Sequence, residues 1–146
     1  TPAWGLVETE SGLPGGGREL SVYAVENYWR GIPALRRHTL RLDGFVSLSA
    51  PMSGGEMLTK PLVFTGLRLS LNISTSAAGC ARVEVQDFNG TPIPGFTLDD
   101  CWDIVGDTLD YAVCWKQGPN VGALAGQPVR LRFELKDADL YSFCFG

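Results

Sequence analysis

Near the end of the chain, apolar and charged residues alternate in a way that few folds accommodate. One parity of residues 129–136 is apolar and the other is charged, with Val129, Leu131, Phe133 and Leu135 set against Arg130, Arg132, Glu134 and Lys136. A period of two is typical of a strand with one dry face and one wet face. A polar turn is predicted at residues 137–139, after which Tyr141, Phe143 and Phe145 share a parity and predict a second strand. Two strands with no helix between them indicate an all-β fold.

Shorter runs of the same kind recur along the rest of the chain. The predicted strands include residues 20–25, residues 36–49 with a bulge or a close approach at Gly44, the stripe of Leu67, Leu69, Leu71 and Ile73, and residues 81–86 and 108–115. Glycine and proline supply the turns, among them an aromatic turn at residues 27–31 and a hairpin turn at Asn89-Gly90. About nine short strands predict an antiparallel β-sandwich, of jelly-roll or concanavalin-like type, with a short N-terminal strand arm. We assign the arm and the first strand to residues 1–35 and the sandwich domain to residues 36–146.

Charge and hydropathy limit the classes of partner. The formal net charge of −4 argues against a nucleic-acid partner, because a phosphate backbone attracts basic surfaces. No stretch approaches the roughly 18 consecutive apolar residues of a membrane span, so none is predicted. A chain of 146 residues is long enough to bury a core of its own.

Catalytic motifs are sparse in this sequence. His38 is the only histidine and no Gly-x-Ser-x-Gly motif is present, so a Ser-His-Asp site has no support. The acidic segment with Asp99, Asp100 and Asp103 leaves two interpretations open. Its carboxylates are either solvated and turn-capping, or they are the hard oxygen ligands of a structural Ca²⁺ site. A small hydrolase that uses this segment is a further alternative, and no other cofactor is predicted.

Aromatic residues offer a second route to function, because the apolar face of a sugar ring packs on an aromatic ring. Five residues are candidates for such a stacking platform: Trp4, Tyr28, Trp29, Trp102 and Trp115. Trp115 shares its parity with apolar residues of a predicted strand, which favours a core position. Trp102 lies in the acidic segment and is the better candidate for an exposed carbohydrate-binding residue. Tyr28 and Trp29 are the other candidates, and they would equally suit packing between modules.

Four cysteines are compatible with disulfides or with small half-buried thiols. Cys80, Cys114 and Cys144 have the parity opposite to the neighbouring apolar stripes, and Cys101 lies in the acidic segment. An even count favours pairing in an oxidising compartment, within the chain or between copies, but it does not choose the connectivity. A zinc site is not indicated, because there is no Cys-x-x-Cys motif.

Two Asn-x-Ser/Thr sequences begin at Asn72 and Asn89. They predict glycosylated surface loops if a glycosylating host secretes the chain.

Several segments together carry a resemblance to a known family. They are residues 40–47, 54–56, 59–62, 74–79, 92–96, 100–101, 106–107, 115–116 and 124–126, followed by the terminal block 129–143. Through them, residues 23–145 resemble the C-terminal β-sandwich region of large secreted bacterial proteins related to glycoside hydrolase family 32/43. In those proteins a five-bladed propeller precedes the sandwich, and residues 1–30 resemble its last strands.

The resemblance implies a secreted, extracellular module with no catalytic residue, because the catalytic carboxylates of that family belong to the propeller. The family pattern has polar residues at positions 80 and 114 and arginine at position 144. Cysteine stands at all three positions here, which indicates adaptation to an oxidising setting.

Two hypotheses for function follow. The first is a non-catalytic β-sandwich module, accessory to carbohydrate-active proteins, that supports an enzyme or binds polysaccharide. The second is an extracellular structural protein that assembles with its own copies through edge strands, the N-terminal arm or disulfides. In the second, a flexible joint at Gly15-Gly16-Gly17 would let residues 1–14 reach a neighbouring copy.

Overall fold

The structure, a computed structural model, describes residue 2, residues 5–14 and residues 17–146. These residues form eight strands and two three-residue 3₁₀ helices, and the sheets of three and five strands are antiparallel throughout. The predicted all-β class is confirmed, and the sheets are consistent with a β-sandwich. Within this described part, neither helix is long or apolar enough to cross a membrane. Trp4, Gly15 and Gly16 lie outside the described residues.

The chain divides into two compact units, Thr1–Val46 and Ser47–Gly146. The division lies after residue 46, whereas we expected it after residue 35. The difference arises because residues 34–41 pair with the preceding strand and so belong to the N-terminal unit.

The N-terminal unit is a three-stranded sheet. Strand β1 (Val7–Glu10) and strand β3 (Ala34–Arg41) both pair with the central strand β2 (Arg18–Glu26). The predicted strand at residues 20–25 is therefore confirmed. The predicted aromatic turn is also confirmed, as a 3₁₀ helix at Tyr28–Arg30. The predicted arm is, in its described part, the paired strand β1 rather than an unattached segment.

Hydrogen bonds rather than an apolar core hold this sheet together. Ser21 is the only buried residue among the described residues of the unit. The Arg37 guanidinium reaches across all three strands: Nε donates to Ser21 Oγ at 2.8 Å, and Nη2 donates to Thr9 Oγ1 at 2.7 Å. The same guanidinium forms an ion pair with Glu19. One arginine thus clamps β1, β2 and β3.

The C-terminal unit is built on two long strands. Strand β6 (Leu69–Asp87) pairs with strand β8 (Val129–Phe145) over most of their lengths. Strands β4 (Leu48–Ala50) and β5 (Gly55–Leu58) pair with successive parts of β8, and strand β7 (Asp107–Ala112) pairs with the first part of β6. A second 3₁₀ helix, Gly122–Leu124, lies in the connection to β8.

Residues 137–139 do not form the predicted turn, because β8 runs on through them as one strand. Asp137 has a φ of 44°, and its N–H donates to the Pro51 carbonyl oxygen at 3.0 Å. The buried parity changes there, from odd residues before Asp137 to Ala138 and Leu140 after it. A second irregularity follows at Tyr141, since Ile73 lies opposite Leu140 while Asn72 lies opposite Ser142. The break in alternation therefore marks irregular pairing within one strand.

Residues 36–49 also differ from their prediction, because they do not form one strand. Strand β3 ends at Arg41, where the Gly44 N–H donates to the Arg41 carbonyl oxygen at 2.9 Å. Strand β4 begins only at Leu48. Gly44 is thus a turn residue rather than a bulge within a strand. The predicted close approach at Gly44 is confirmed, because a Cβ there would lie 2.7 Å from the Arg41 carbonyl oxygen.

The apolar core lies wholly in the C-terminal unit, as far as the described residues extend. Its largest members come from β6, β8 and the connections: Leu69, Leu71, Ile73, Val83, Val85, Ile104, Val113, Trp115, Val121, Leu131, Phe133 and Leu135. Leu67 does not belong to the predicted stripe, because it precedes β6 and its side chain is exposed. The apolar side chains of residues 129–135 face this core, as predicted.

Candidate functional site

The face of β6 and β8 opposite the apolar core carries a ladder of polar and charged side chains, of which Glu84 and Gln86 are buried. Four pairs lie directly opposite one another in the register: Cys80 and Lys136, Arg82 and Glu134, Glu84 and Arg132, Gln86 and Arg130. At one end of this ladder is a depression of about 290 Å³, lined by Ser53, Gly54, Cys80, Arg82, Glu134, Leu135 and Lys136. We refer to it as the β6–β8 depression. It combines hydroxyl, carboxylate, ammonium and guanidinium groups within one small surface.

Arg82 links the depression to the acidic segment. Its Nε donates to Asp103 Oδ1 at 2.6 Å, and this ion pair raises the pKa of Arg82. Ile104 fixes the segment beside β6, because its N–H and carbonyl oxygen both bond with Ala81 at 2.9 Å. The exposed indole of Trp102, 59% accessible, therefore stands on a segment held by backbone pairing. The prediction that Trp102 is exposed is confirmed.

Further along the ladder, Arg132 gathers two carboxylates. Its Nη2 lies 2.7 Å from Glu56 Oε1, and its Nη1 lies 3.7 Å from Glu84 Oε1. The hydrogen bond and the positive charge of Arg132 lower the pKa of Glu56. Buried Glu84 also accepts from Gln86 Nε2 at 2.8 Å and from the Leu98 N–H at 3.2 Å. This cluster ties β5, β6 and β8 together and is a structural element beside the depression.

The predicted Ca²⁺ ligands Asp99, Asp100 and Asp103 do not form a metal site. Asp103 is held by Arg82, whereas Asp100 Oδ2 accepts from Thr97 Oγ1 at 2.8 Å. That hydrogen bond is the main cause of the lowered pKa of Asp100. Among the described residues, no three acidic, histidine or cysteine side chains come together in an arrangement that suits a metal ion. The alternative interpretation, carboxylates that cap a turn, fits Asp100.

Tyr28 and Trp29 form a separate exposed aromatic pair in the N-terminal unit. Their ring centroids lie 5.2 Å apart in a T-shaped arrangement, and Trp29 is 93% accessible. Together with Val25, Asn27 and Arg30 they line a surface depression of about 340 Å³. The positive φ values of Asn27 and Gly31, 55° and 74°, turn the chain sharply at both ends of this 3₁₀ helix.

None of the four cysteines is in a disulfide within the chain. Cys101 is buried, Cys80 and Cys114 are half-buried, and Cys144 is exposed. Burial raises the pKa of the Cys101 thiol to about 11, and its sulfur accepts the Val83 N–H at 3.3 Å. The structure agrees with half-buried thiols at Cys80 and Cys114, and a disulfide between copies stays a prediction.

The two glycosylation sequences lie in opposite environments. Asn72 lies within β6 and is only 4% accessible, so its side chain is not available for a glycan in the folded chain. Asn89 is exposed in the predicted hairpin turn, where the N–H groups of Asn89 and Thr91 both donate to Asp87 Oδ1 at 2.8 Å. The turn is confirmed at Asn89-Gly90, with a φ of 90° at the glycine. The prediction of a surface loop thus holds for Asn89 and is wrong for Asn72.

Sequence reasoning did not find the β6–β8 depression. It placed Arg132, Glu134 and Lys136 on a wet face, but it could not pair them with residues of β6 some fifty positions earlier. The only local signal was the charged parity of residues 130–136.

Searches of protein-family models, of curated proteins and of solved structures gave no match for this chain.

Proposed function

We propose that this chain is a non-catalytic, extracellular module that binds polysaccharide through its C-terminal unit. The observation that carries the proposal is the exposed Trp102, which precedes Asp103 in the sequence, together with the bond of the Asp103 carboxylate to Arg82, a residue that lines the β6–β8 depression. An apolar ring beside fixed polar groups is what recognition of a sugar requires. The ring face packs on the indole, while hydroxyl groups exchange hydrogen bonds with the polar groups.

The carboxylates near the depression support binding rather than catalysis. Asp103 is engaged by Arg82 and Glu56 by Arg132, and Arg132 lowers the pKa of Glu56. A general acid for glycoside hydrolysis needs the opposite, a raised pKa that keeps its proton near neutral pH. The extracellular placement rests on the family resemblance. Its test is detection of the protein outside the source cells.

Binding is tested by affinity electrophoresis and calorimetry with a panel of plant, algal and bacterial polysaccharides. We expect Trp102→Ala to weaken binding by about tenfold, equivalent to about 1.4 kcal/mol. Phe88→Ala is the matched control, because Phe88 is an equally exposed aromatic residue of the same unit. Equal affinities of the Trp102→Ala variant and the wild type for every retained polysaccharide would overturn the assignment of Trp102.

Tyr28 and Trp29 extend this proposal as a second sugar contact. Their depression is polar at Asn27 and Arg30 and aromatic at the pair itself. Trp29→Ala is expected to weaken binding of the retained polysaccharides, as measured by the same affinity electrophoresis.

Self-association is a second candidate function, favoured by the charges on the edge strands of the N-terminal sheet. Strand β1 carries Glu8 and Glu10, whereas β3 carries Arg36 and Arg41. Glu8 and Arg36 also form ion pairs with Arg18 and Glu26 of β2. Among described residues, each of these strands pairs only with β2. Edges of opposite charge suit head-to-tail pairing between copies.

Light scattering after size-exclusion chromatography distinguishes this candidate. Assembly through charged edges predicts a mass that rises with protein concentration and falls as salt is added. A monomer at every concentration and salt level would exclude it.

A further inference from the structure

We infer that the glycan held at the β6–β8 depression is acidic, and that Lys136 binds its carboxylate or sulfate group. This inference rests on the proposed function and adds the chemical class of the ligand. It starts from the charges that line the depression, which are two cations, Arg82 and Lys136, and one carboxylate, Glu134.

Lys136 differs from Arg82 and Arg132 in having no acidic partner among the described residues. Arg82 pairs with Asp103, and Arg132 pairs with Glu56 and Glu84. No carboxylate of the described residues lies within 4.0 Å of the Lys136 ammonium, although Lys136 lines the depression. An ammonium has three donors and no acceptor, so an anionic oxygen is the ligand it favours most.

Arg82 supplies donors on the same wall. Only its Nε bonds with Asp103, which leaves the terminal N–H groups of the guanidinium without a described protein acceptor. Arg82 lies two residues after Cys80 on the same face of β6, and Cys80 lies directly opposite Lys136. The two cations therefore stand on adjacent strands, and both are neighbours of Cys80.

Glu134 does not cancel this pair of cations. It lies opposite Arg82 in the register, and its charge acts on both Arg82 and Arg132. Its carboxylate accepts hydrogen bonds from sugar hydroxyls. Among the residues that line the depression, the two cations outnumber the one carboxylate.

The overall charge of the chain makes this inference specific. With a formal net charge of −4, the protein has no general attraction for polyanions. Retention of an acidic polysaccharide would therefore report a local cationic site.

The test uses the full chain and three probes: a polygalacturonate, a sulfated galactan and an uncharged xylan. We expect retention of at least one acidic probe, and about tenfold weaker binding of that probe by Lys136→Gln. Lys60→Gln is the matched control, because it removes one positive charge from another exposed lysine of the same unit. Lys136→Glu extends the series and should weaken acidic binding further.

Cys80 gives a readout of where the ligand sits. A ligand in the depression should slow alkylation of Cys80, as measured by peptide mass spectrometry, without slowing that of exposed Cys144. This protection is a measurement on wild-type protein, so it does not depend on the folding of a variant.

Each outcome decides a different claim. Retention of xylan alone, lost in Trp102→Ala, would overturn the acidic class and leave the proposed function standing. Retention of no polysaccharide would overturn both. Equal effects of Lys136→Gln and Lys60→Gln, or acidic binding that leaves Cys80 unprotected, would overturn the role of Lys136.

Discussion

Two tryptophans of the C-terminal unit show how much the surroundings of one residue type can differ. Trp115 is fully buried, its Nε1 donates to the Val83 carbonyl oxygen at 2.9 Å, and it meets the edge of Phe96 with centroids 5.2 Å apart. We expect Trp115→Phe to cost about 1–3 kcal/mol of unfolding free energy, because it leaves a buried carbonyl without its donor. Trp102→Phe should change stability by less than about 0.5 kcal/mol. Urea unfolding of the two variants measures the difference, and equal midpoints would contradict this assignment.

The cysteines should react with alkylating reagents in the order of their exposure. Cys144 is exposed and should be modified first, whereas Cys101 is buried with a pKa raised to about 11 and should react only when the chain unfolds. The raised pKa also means that the stability contributed by Cys101 is complete below the ordinary thiol pKa. This stabilisation is lost as the pH rises from the ordinary thiol pKa towards the folded-state pKa of about 11. Mass spectrometry after timed labelling at pH 8 measures the order, and early modification of Cys101 would show that the core opens readily.

At the residue scale, parity was an informative guide and short motifs were a poor one. Parity placed Trp115 in the core, and the acidic surroundings of Trp102 placed it outside. The sequence at Asn72 predicted a surface loop, yet this residue is buried in β6. A three-residue motif contains no information about burial, which depends on the strand around it.

The close approach of the paired strands β6 and β8 depends on one glycine. A Cβ at Gly79 would overlap the Asp137 carbonyl oxygen and would lie 2.7 Å from that of Lys136, and both are backbone atoms that cannot rotate away. We expect Gly79→Ala to destabilise the protein by about 1–3 kcal/mol. Gly55→Ala is the control, since its Cβ would meet only Ala50 at an ordinary 3.5 Å. Thermal unfolding compares the two variants. Equal melting temperatures would show that the backbone at Gly79 shifts to admit a Cβ without loss of stability.

The attachment of β5 to β8 should depend on pH through Glu56. Arg132 lowers the pKa of this carboxyl, so the ion pair stabilises the fold above the ordinary glutamate value of about 4.3. That contribution is lost as the pH falls through the lowered pKa of the folded state. Compared with Glu56→Gln, the wild type should therefore show a steeper loss of stability below about pH 4.3. Denaturant unfolding between pH 3 and 7 measures the unfolding free energies of both proteins. If the two free energies change equally with pH, the ion pair contributes nothing to stability.

Strand existence was predictable at the element scale, and strand continuity was not. The alternation at residues 129–136 identified the inward side chains correctly, but the irregularity at Asp137 resembled a turn. A bulge and a turn both interrupt alternation, and only the partner strand distinguishes them. Here that partner is β6, which follows β8 on both sides of the break.

At the scale of the whole molecule, the two units should differ in local stability. The C-terminal unit holds the apolar core, whereas the sheet of the N-terminal unit is held by the Arg37 clamp. We expect backbone amides of β6 and β8 to exchange with deuterium much more slowly than those of β1, β2 and β3. Hydrogen exchange with peptide resolution measures both sets, and equal protection would show that the units unfold as one.

Composition and periodicity predicted an all-β chain, whereas the β6–β8 depression could not be predicted. Its residues come from a loop at 53–54 and from two strands that are distant in the sequence. Their meeting depends on the register of β6 against β8, which side-chain pattern alone leaves undetermined.

The pairing of β6 with β8 also has a consequence for how the protein acquires its structure. Even the nearest partners in this pairing, Asp87 and Val129, lie roughly forty positions apart, and Leu69 must find Phe145. Folding must therefore close a long loop before its central contact is gained, which favours slow refolding, on the order of milliseconds to seconds. On the ribosome, β6 emerges well before β8, so the nascent chain is most exposed to aggregation in the interval before β8 has been synthesised.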